Sequence, residues 1–564
     1  MNDSPWPALS LEEAHAHLTA SGAPFETIEI TVRGVTMPVW RHVPATAAEA
    51  FAAARAFGDR EFLVHQDERI TYGAFARASL AVADLLVRRG LKKGDRVALV
   101  MRNLPEWPSV FMGALLAGAI VVPLNAWWSG TELAYGILDC GARFVFTDAE
   151  RLARLKDLPP SVEQVFVTRA ANPPPGIAVF EEVIGAPSRW ADLPDLPMPN
   201  VVLSPEDDAT IFYTSGTTGA PKGALGTHRS LTTNIFAMPF SNARNLLRRG
   251  GVPAAATQQR VTLIAVPFFH VIGSLSILLP NMAAGGKLIL MRKFDAREAL
   301  TLIARERVTV TGGVPAVALA LLEEAQDHHD LSSLQLVTFG GAPSPASLAH
   351  RIRDRFGAMP GQGWGMTETS ATCTTHSGED YLHRPLSCGP VLPVGRLKII
   401  KDGVEQPPGV PGELWAFGPN VVKGYWNRPD ATAEVFRDGW LKTGDLAMLD
   451  QEGFCTILDR SQDMLIRGGE NIYCVEVENI LSQHPAVVDA ALVGLPHPLL
   501  GEVPAALVQL RPGATVDEKV LQDFTAERLA AFKVPVKVHV SYQALKRNEG
   551  GKLMKSELRK VFGT

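Results

Sequence analysis

The run Tyr213-Thr214-Ser215-Gly216-Thr217-Thr218-Gly219-Ala220-Pro221-Lys222-Gly223 constrains this chain more than any other stretch. Residues 209–212, just before it, include β-branched and aromatic side chains and read as a short strand. Gly216, Gly219 and Gly223 open backbone conformations that other residues avoid, so main-chain N–H groups can approach a ligand closely. Hydroxyls stand between those glycines and Lys222 follows; N–H donors, O–H donors and one ammonium on a single loop suit a polyphosphate. A P-loop is excluded. That motif requires G-x-x-x-x-G-K-[ST], whereas Gly223 follows Lys222 here and the glycine spacing differs.

The flanking sequence alternates helices with short apolar strands, the rhythm of parallel α/β construction. Thr71 is placed to cap a helix running to Arg89, with Val82, Leu85 and Leu86 inward and Gly90 just past its end. Strands are expected at 96–101, 120–123 and 144–147, and helices at 108–117 and near 131–139. Residues 150–207 are Pro-rich and weakly periodic and read as a surface connection. The rhythm resumes with strands at 261–267, 287–290 and 308–311 and helices near 274–283 and 296–305. After about residue 387 the strands shorten (395–400, 412–416, 453–458), which predicts a small β-rich subdomain. Beyond Arg460 a last α+β unit carries helices at 474–483 and 517–530 and strands at 490–495 and 505–510. Residues 1–45 read as a variable leader, helical around 11–20 and alternating at 26–33.

A chain of 564 residues needs more than one ordinary core, and its 46% hydrophobic and 20% charged content is that of a globular protein. The net charge of −5 and the lack of a Lys/Arg run give no reason to expect a nucleic-acid partner. Its five cysteines form no C-x-x-C pair, so neither a disulfide framework nor a zinc site is indicated, and a cytoplasmic setting is expected. The first residues lack the basic and apolar regions of a signal peptide. The most apolar run, residues 110–124, is shorter than the roughly 20 residues of a spanning helix and reads as a buried helix feeding a buried strand. Peripheral membrane contact is left open.

Further motifs follow in order: Pro267-Phe268-Phe269-His270, Gly340-Gly341-Ala342-Pro343, Gly363-Trp364-Gly365-Met366-Thr367-Glu368, Lys442-Thr443-Gly444-Asp445, Leu458-Asp459-Arg460 and Asn548-Glu549-Gly550-Gly551-Lys552. With the glycine-rich loop they resemble the adenylate-forming superfamily, which includes acyl- and aryl-CoA synthetases, peptide-synthetase adenylation domains and beetle luciferases, from about residue 45 to residue 560. The resemblance implies an α/β fold: a large, multi-subdomain N-terminal adenylation domain (46–459), a hinge (460–462) and a smaller mobile α+β domain (463–564). It implies a loop, Thr214 to Gly219 with Lys222, that binds ATP phosphates. Gly341, Ala342 and Pro343 would lie along the adenine with Gly363, Trp364, Gly365, Met366 and Thr367, where Trp364 replaces the usual Tyr. Asp445 and Arg460 would hold the ribose, and Glu368 with Thr214 would hold Mg²⁺. Lys552 would bridge the substrate carboxylate and the α-phosphate, a role for which the upstream Pro and Thr of the usual motif are missing here.

The same resemblance implies an acyl-adenylate, then attack by the thiol of coenzyme A after rotation about Gln462, where the family usually has Asp or Lys. Arg467, Gly468 and Gly469 would then line the pantetheine path. Residues expected around the acid are His270, Val271, Ser274, Gly312, Gly313, Val314 and Gly365, the last standing where short-chain synthetases carry Trp. Apolar walls with no Asp or Lys point to a hydrophobic monocarboxylic acid, a medium- to long-chain fatty acid first and an aryl or alicyclic acid second. A stand-alone enzyme loading a carrier protein is the rival. Partners would be the acid, ATP and coenzyme A, with the chain a monomer or homodimer.

Overall fold

The computed structural model describes residues 6–563 apart from 157, 215–220, 254–257, 343, 461–462, 468–469 and 549–552, with Arg460 described by its backbone alone. Among the described residues the larger part of the chain is built on two parallel-rich sheets and a third, antiparallel one. The first sheet runs in the order Gly223–Thr227, Asp208–Tyr213, Ile120–Pro123, Arg96–Val100, Phe144–Asp148, Gln164–Thr168, Ala178–Val179, parallel except at the Gly223–Thr227 edge. Val97, Ala98, Leu99 and Val100 are fully buried, which is why that strand reads as continuously apolar rather than alternating. The helix Glu106–Leu116 is buried along its whole length and feeds Ile120–Pro123. No helix among the described residues is long and apolar enough to cross a membrane.

The second sheet is centred on the parallel strands Met359–Trp364, Leu336–Gly340, Val310–Gly313, Val261–Ile264, Lys287–Leu290 and Glu61–His65, with Thr374–Ser377 and Glu68–Thr71 as antiparallel edges. Helix ends carry the signals the sequence advertises. The Thr71 hydroxyl accepts from the Ala74 N–H at the start of Tyr72–Arg88, and Ser129 with Glu132 forms a capping box on Gly130–Cys140. The third sheet joins Gly389–Pro390, Phe454–Arg460, Trp440–Leu449, Gly412–Phe417, Arg396–Lys401 and Val404–Glu405, the β-rich subdomain expected after residue 387. The C-terminal unit packs the helix Cys474–Leu481 and the helix Glu518–Ala526 on a sheet whose centre is Val487–His497 against Gly501–Leu510.

Three expectations change. Residues 150–207 are not merely a surface connection, because Gln164–Thr168 joins the first sheet and Trp190 is fully buried. The leader carries the helix and the alternating segment expected of it, as Leu11–Thr19 and the first strand of the hairpin Thr27–Val32/Val35–Trp40; what changes is its packing, with Phe25 edge-on against Trp40, Phe236 and Phe240 and Trp40 edge-on against Phe236. The helix expected near 274–283 is a π-helix, Ile272–Leu278, followed by an α-helix, Leu279–Ala283. Pro280 supplies the reason: it has no N–H, and its ring would meet the carbonyl four residues back in a continuous α-helix.

The five cysteines are all free and buried. Arg248 and Asp380 make a nearly solvent-free ion pair, with Arg248 Nε donating to Asp380 Oδ1 at 2.9 Å and to Oδ2 at 3.1 Å. That pair ties the helix Ala237–Arg248 to the helix Glu379–His383. Removing one partner of such a pair strands a buried charge, so Asp380→Ala is expected to destabilise the fold by about 3–5 kcal/mol in denaturant unfolding. Burial also holds His228 down to about 4 and His376 and His15 down to about 3, all from an ordinary value of 6.5. The unfolded chain binds these protons first, so their contribution is complete above pH 6.5 and is lost as the pH falls towards 4 for His228 and towards 3 for His376 and His15. Thermal melting should therefore decline from about pH 6.5 downward, before the carboxylates titrate.

Candidate active site

The strands Asp208–Tyr213 and Gly223–Thr227 pair antiparallel, Tyr213 opposite Gly223, and the Thr214 N–H donates to the Lys222 carbonyl at 2.9 Å. The two ends of the glycine-rich run are therefore paired strands, with Ser215, Gly216, Thr217, Thr218 and Gly219 outside the described residues. Its base is clamped from outside. Leu225 N–H donates to Gly424 O at 2.9 Å, Lys423 N–H to Leu225 O at 2.9 Å and Trp426 N–H to Gly223 O at 2.7 Å. A Cβ on Gly223 would stand 2.5 Å from Ile211 Cγ2 and 3.5 Å from Trp426 Cβ, so glycine is what lets these segments close. Side chains complete the clamp: Tyr135 donates to Pro221 O at 3.0 Å, Tyr213 to Asp139 Oδ2 at 2.7 Å, and Arg428 pairs with Asp139 Oδ1 at 2.6 Å.

Glu368 lies in the 3₁₀ turn Thr367–Thr369 and is buried. Its Oε1 accepts from the Tyr425 hydroxyl at 2.7 Å, and its carbonyl accepts from Val422 N–H at 3.0 Å. The same Tyr425 ring lies beneath Lys222, with Nζ 5.3 Å from the centroid. Burial and the Glu368 carboxylate raise the Tyr425 phenol above its ordinary range, so it stays a donor. After Glu368 the chain turns through left-handed Ser370 (φ 47°) and Ala371 (φ 88°). Two buried amides pin this turn. Asn234 donates to Ser370 O at 2.6 Å and accepts from Thr372 N–H at 3.1 Å, and Asn420 donates to Thr369 O and Thr372 O at 3.1 Å each.

The nucleotide motifs meet at the carboxyl ends of the second sheet's strands, where open α/β sheets bind ligands. Gly340 pairs with Gly363, and Gly341 and Ala342 follow at the surface. Pro343 is outside the described residues. Trp364 was expected to offer a face to a purine; its indole Nε1–H also donates to Asp445 Oδ2 at 2.8 Å, joining the adenine motif to the ribose motif. Asp445 is buried and stands directly opposite Arg460 in the antiparallel pair Trp440–Leu449/Phe454–Arg460. The Arg460 side chain is outside the described residues. Met366 N–H donates to Thr369 Oγ1 at 2.9 Å, and Thr367 is half-buried beside it.

The π-helix Ile272–Leu278 packs beside the same motifs. His270 precedes it, half-buried, 4.7 Å from the Phe269 ring and 6.0 Å from Trp127. Val271 is buried. Ser274 departs from expectation: it is fully buried and its hydroxyl donates to His270 O at 3.1 Å, so it does not line an open wall. Ile272 and Ser276 occupy the half-exposed face instead. Ile272 Cδ1 lies 3.2 Å from where a Gly341 Cβ would be, and Ser276 Oγ is 2.7 Å from Thr372 Oγ1. Gly312 and Gly313 end the strand Val310–Gly313, where side chains would strike Thr338 O and Val266 Cγ1, and half-buried Val314 leads into Pro315–Glu324. Gly365 also differs from expectation. A Cβ there would lie 1.4 Å from Ala371 O, so this position faces the pinned turn rather than presenting a face to the acid. Ile272 and Ser276 fall in the apolar run 271–279 expected to line the acid pocket, whereas Thr372 and Tyr425 carry no local sequence signal.

At the C-terminal side, Asp459 Oδ2 accepts from Cys474 N–H at 2.6 Å, joining the strand Phe454–Arg460 to the first turn of Cys474–Leu481. Lys555 is half-buried against Glu478, Nζ to Oε1 3.3 Å. Arg467 donates to Phe532 O at 2.7 Å, and Lys533 pairs with Glu476 at 2.7 Å. Gln462, Gly468, Gly469 and Lys552 are outside the described residues.

Residues 50–426 match the AMP-binding enzyme family, and residues 476–552 match the AMP-binding enzyme C-terminal domain. A feruloyl-CoA synthase of an Amycolatopsis species is 35% identical over 501 residues, 88% of this chain and 95% of that one. The o-succinylbenzoate CoA synthetase MenE of Bacillus subtilis, solved with ATP and magnesium ion, superposes with TM-score 0.74 at 32% identity over 90% of this chain and 99% of that one. The anthranilate CoA ligase AuaEII, solved with anthranoyl-AMP, gives TM-score 0.81 at 26% identity over 91% and 96%. The family match over most of the chain, on a fold whose motifs gather around one cleft, leads to one conclusion: this chain belongs to the AMP-binding, adenylate-forming enzymes and is an AMP-forming acid–thiol ligase that uses ATP, Mg²⁺ and coenzyme A.

Proposed function

We propose that the acid is an aryl carboxylic acid carrying a hydrogen-bonding ring substituent, activated as its adenylate and released as the coenzyme A thioester. One observation carries this reading: the hydroxyls of Ser276 and Thr372, 2.7 Å apart, on the half-exposed side of the cleft beyond His270 and Ile272. A saturated chain gains nothing from such a pair, whereas a phenol or methoxy group can join it, and sites built to hydrogen-bond a substituent discriminate strongly against analogues that lack it. The names of the similar proteins support it, since feruloyl, succinylbenzoate and anthranilate groups are all aryl acids with a polar substituent. They favour this reading over the fatty acid expected first. Coenzyme A, rather than a carrier protein, is the acceptor, and buried reduced thiols suit a cytoplasmic setting.

The chemistry begins as a charge problem, because a carboxylate must approach a triphosphate. Lys222 would neutralise phosphate charge and the loop hydroxyls would donate to phosphate oxygens, and the clamped hairpin base fixes the strands on either side of that loop. Among the described residues no group of three or more His, Cys, Asp or Glu is placed to hold a metal. The buried Glu368 is a single hard oxygen donor, which suits an ion that takes most of its ligands from phosphates and water. Glu368 and Thr214 would hold Mg²⁺, which supplies positive charge to the phosphates. A carboxylate oxygen attacks the α-phosphorus, the bond to pyrophosphate breaks, and Lys552 bridges the two reacting anions. Trp364 and Asp445 keep the nucleoside in place. Rotation about Gln462 then brings Arg467, Gly468 and Gly469 to the cleft; the thiol attacks the acyl carbon, loses its proton, and AMP leaves.

A mixed pool of aryl and fatty acids, with products read by mass spectrometry, should yield hydroxy- or methoxy-aryl thioesters ahead of fatty acyl ones. Saturated-chain products alone would defeat the proposal. Thr372→Val should lower kcat/KM for the substituted acid by about tenfold while leaving the unsubstituted ring acid nearly unchanged. Gly365→Ala should depress pyrophosphate exchange with every acid alike, because its Cβ must displace the Ala371 carbonyl. A selective change in acid preference would place position 365 in the acid wall after all. Lys552→Ala should abolish adenylation yet still convert supplied adenylate to thioester; equal loss of both half-reactions would remove Lys552 from its role.

A further inference from the structure

We propose that Tyr425 is a positioning residue for the phosphate and metal site, acting through Glu368 with its hydroxyl and through Lys222 with its ring. The position carries no assigned role, yet it is the one side chain among the described contacts that touches both groups. Its hydroxyl gives Glu368 Oε1 a donor at 2.7 Å, which leaves Oε2 as the oxygen available to a cation. A carboxylate held by one outer donor presents a fixed lone pair to a cation, and such outer partners typically change metal affinity by about 10–100-fold. The ring does a second task. With Nζ 5.3 Å from its centroid, Lys222 has an aromatic seat that shortens the search of a flexible four-carbon chain at the mouth of the loop.

The placement of Tyr425 is itself over-determined. Its neighbours Lys423, Gly424 and Trp426 are laddered to the strand Gly223–Thr227. Its own N–H donates to Thr432 Oγ1 at 2.9 Å, and its ring meets Phe436 edge-on at 5.7 Å. The backbone that fixes the hairpin base is thus the backbone that aims the tyrosine. Glu368 is fixed to the same segment through Val422 N–H. A carboxylate, a lysine and the ring between them share one rigid frame.

The proposal rests on Glu368 being the metal's carboxylate, and the test separates the two. Binding of α,β-methylene-ATP to the full chain is measured by calorimetry with and without Mg²⁺, for the wild type, Tyr425→Phe, Tyr425→Leu, Glu368→Gln and Tyr425→Phe/Glu368→Gln. Tyr425→Phe keeps the ring. It should weaken Mg²⁺-dependent binding by about tenfold or more, leave metal-free binding unchanged, and leave the melting temperature close to the wild type. Tyr425→Leu should also weaken metal-free binding, because the seat for Lys222 is gone. The double variant should bind no more weakly than Glu368→Gln alone. Additive losses, or an unchanged Mg²⁺ dependence in Tyr425→Phe while Glu368→Gln loses it, overturn the role of Tyr425. If Glu368→Gln itself leaves the Mg²⁺ dependence intact, the metal assignment fails and the proposal falls with it. Unchanged metal-free binding in a folded Tyr425→Leu overturns the ring's part.

Discussion

The backbone ladder between residues 423–426 and the strand Gly223–Thr227 is the contact on which the site depends. It is made of ordinary hydrogen bonds, each worth about 1 kcal/mol net. Its importance is topological. The strand Gly223–Thr227 is the edge of the first sheet, and an open edge there would leave the hairpin base free to flex. Residues 423–426 come from the chain just after the strand Gly412–Phe417 of the third sheet, so the ladder welds two sheets at the foot of the phosphate loop. Trp426, Tyr213 and Arg428 all converge on Asp139, which carries the weld into the helix Gly130–Cys140.

Around that frame the molecule accepts local strain. Left-handed Ser370 and Ala371 are unfavourable for residues with a Cβ, on the order of 1–3 kcal/mol each. Asn234 and Asn420 bring enough buried amide bonding to hold the turn, since breaking either leaves polar groups unsatisfied away from water. The turn places the Ala371 carbonyl against Gly365 and Thr372 against Ser276. The π-helix opposite is a second irregularity, with Ile272 and Ser276 on its half-exposed face. The two irregular elements meet at Ser276 and Thr372, whereas the strands around them are regular.

That division explains what could be read in advance. Buried parallel strands and capped helices obey local rules, so 120–123, 287–290 and the Thr71-capped helix were legible within a residue or two. The nucleotide side was legible because its backbone demands glycine and fixed partners at fixed separations; Asp445 opposite Arg460 is a case of strand register realising a sequence spacing. Chain before residue 45 and between 150 and 207 was underread, since Phe25, Trp40, Gln164–Thr168 and Trp190 are ordered by partners hundreds of residues distant or by a sheet edge with no periodic signal of its own. Ser274 and Gly365 were assigned to the acid wall on position alone. Ser274 is buried and Ser276 half-exposed on the same element, and no propensity scale encodes which of the two faces outward. Tyr425 was missed because its work is done by a ladder between distant segments.

The buried cysteines have a chemical meaning for an enzyme of this kind. An acyl-adenylate is an indiscriminate acylating agent, and the nucleophile it meets most readily is a thiolate. Burial pushes the Cys140 thiol up to about 12 and the Cys373 thiol up to about 11, and raises that of Cys474 as well. The Cys455 thiol is raised first by its contact with Cys388 and then by burial. Cys373 sits only a few residues past Glu368, and a donor contact from Asn420 does not bring it to the surface. The chain that prepares an activated acyl group for a thiol therefore shields all of its own, leaving the thiol of coenzyme A without an internal competitor. Any cysteine engineered onto the rim of this cleft for labelling would become a substrate.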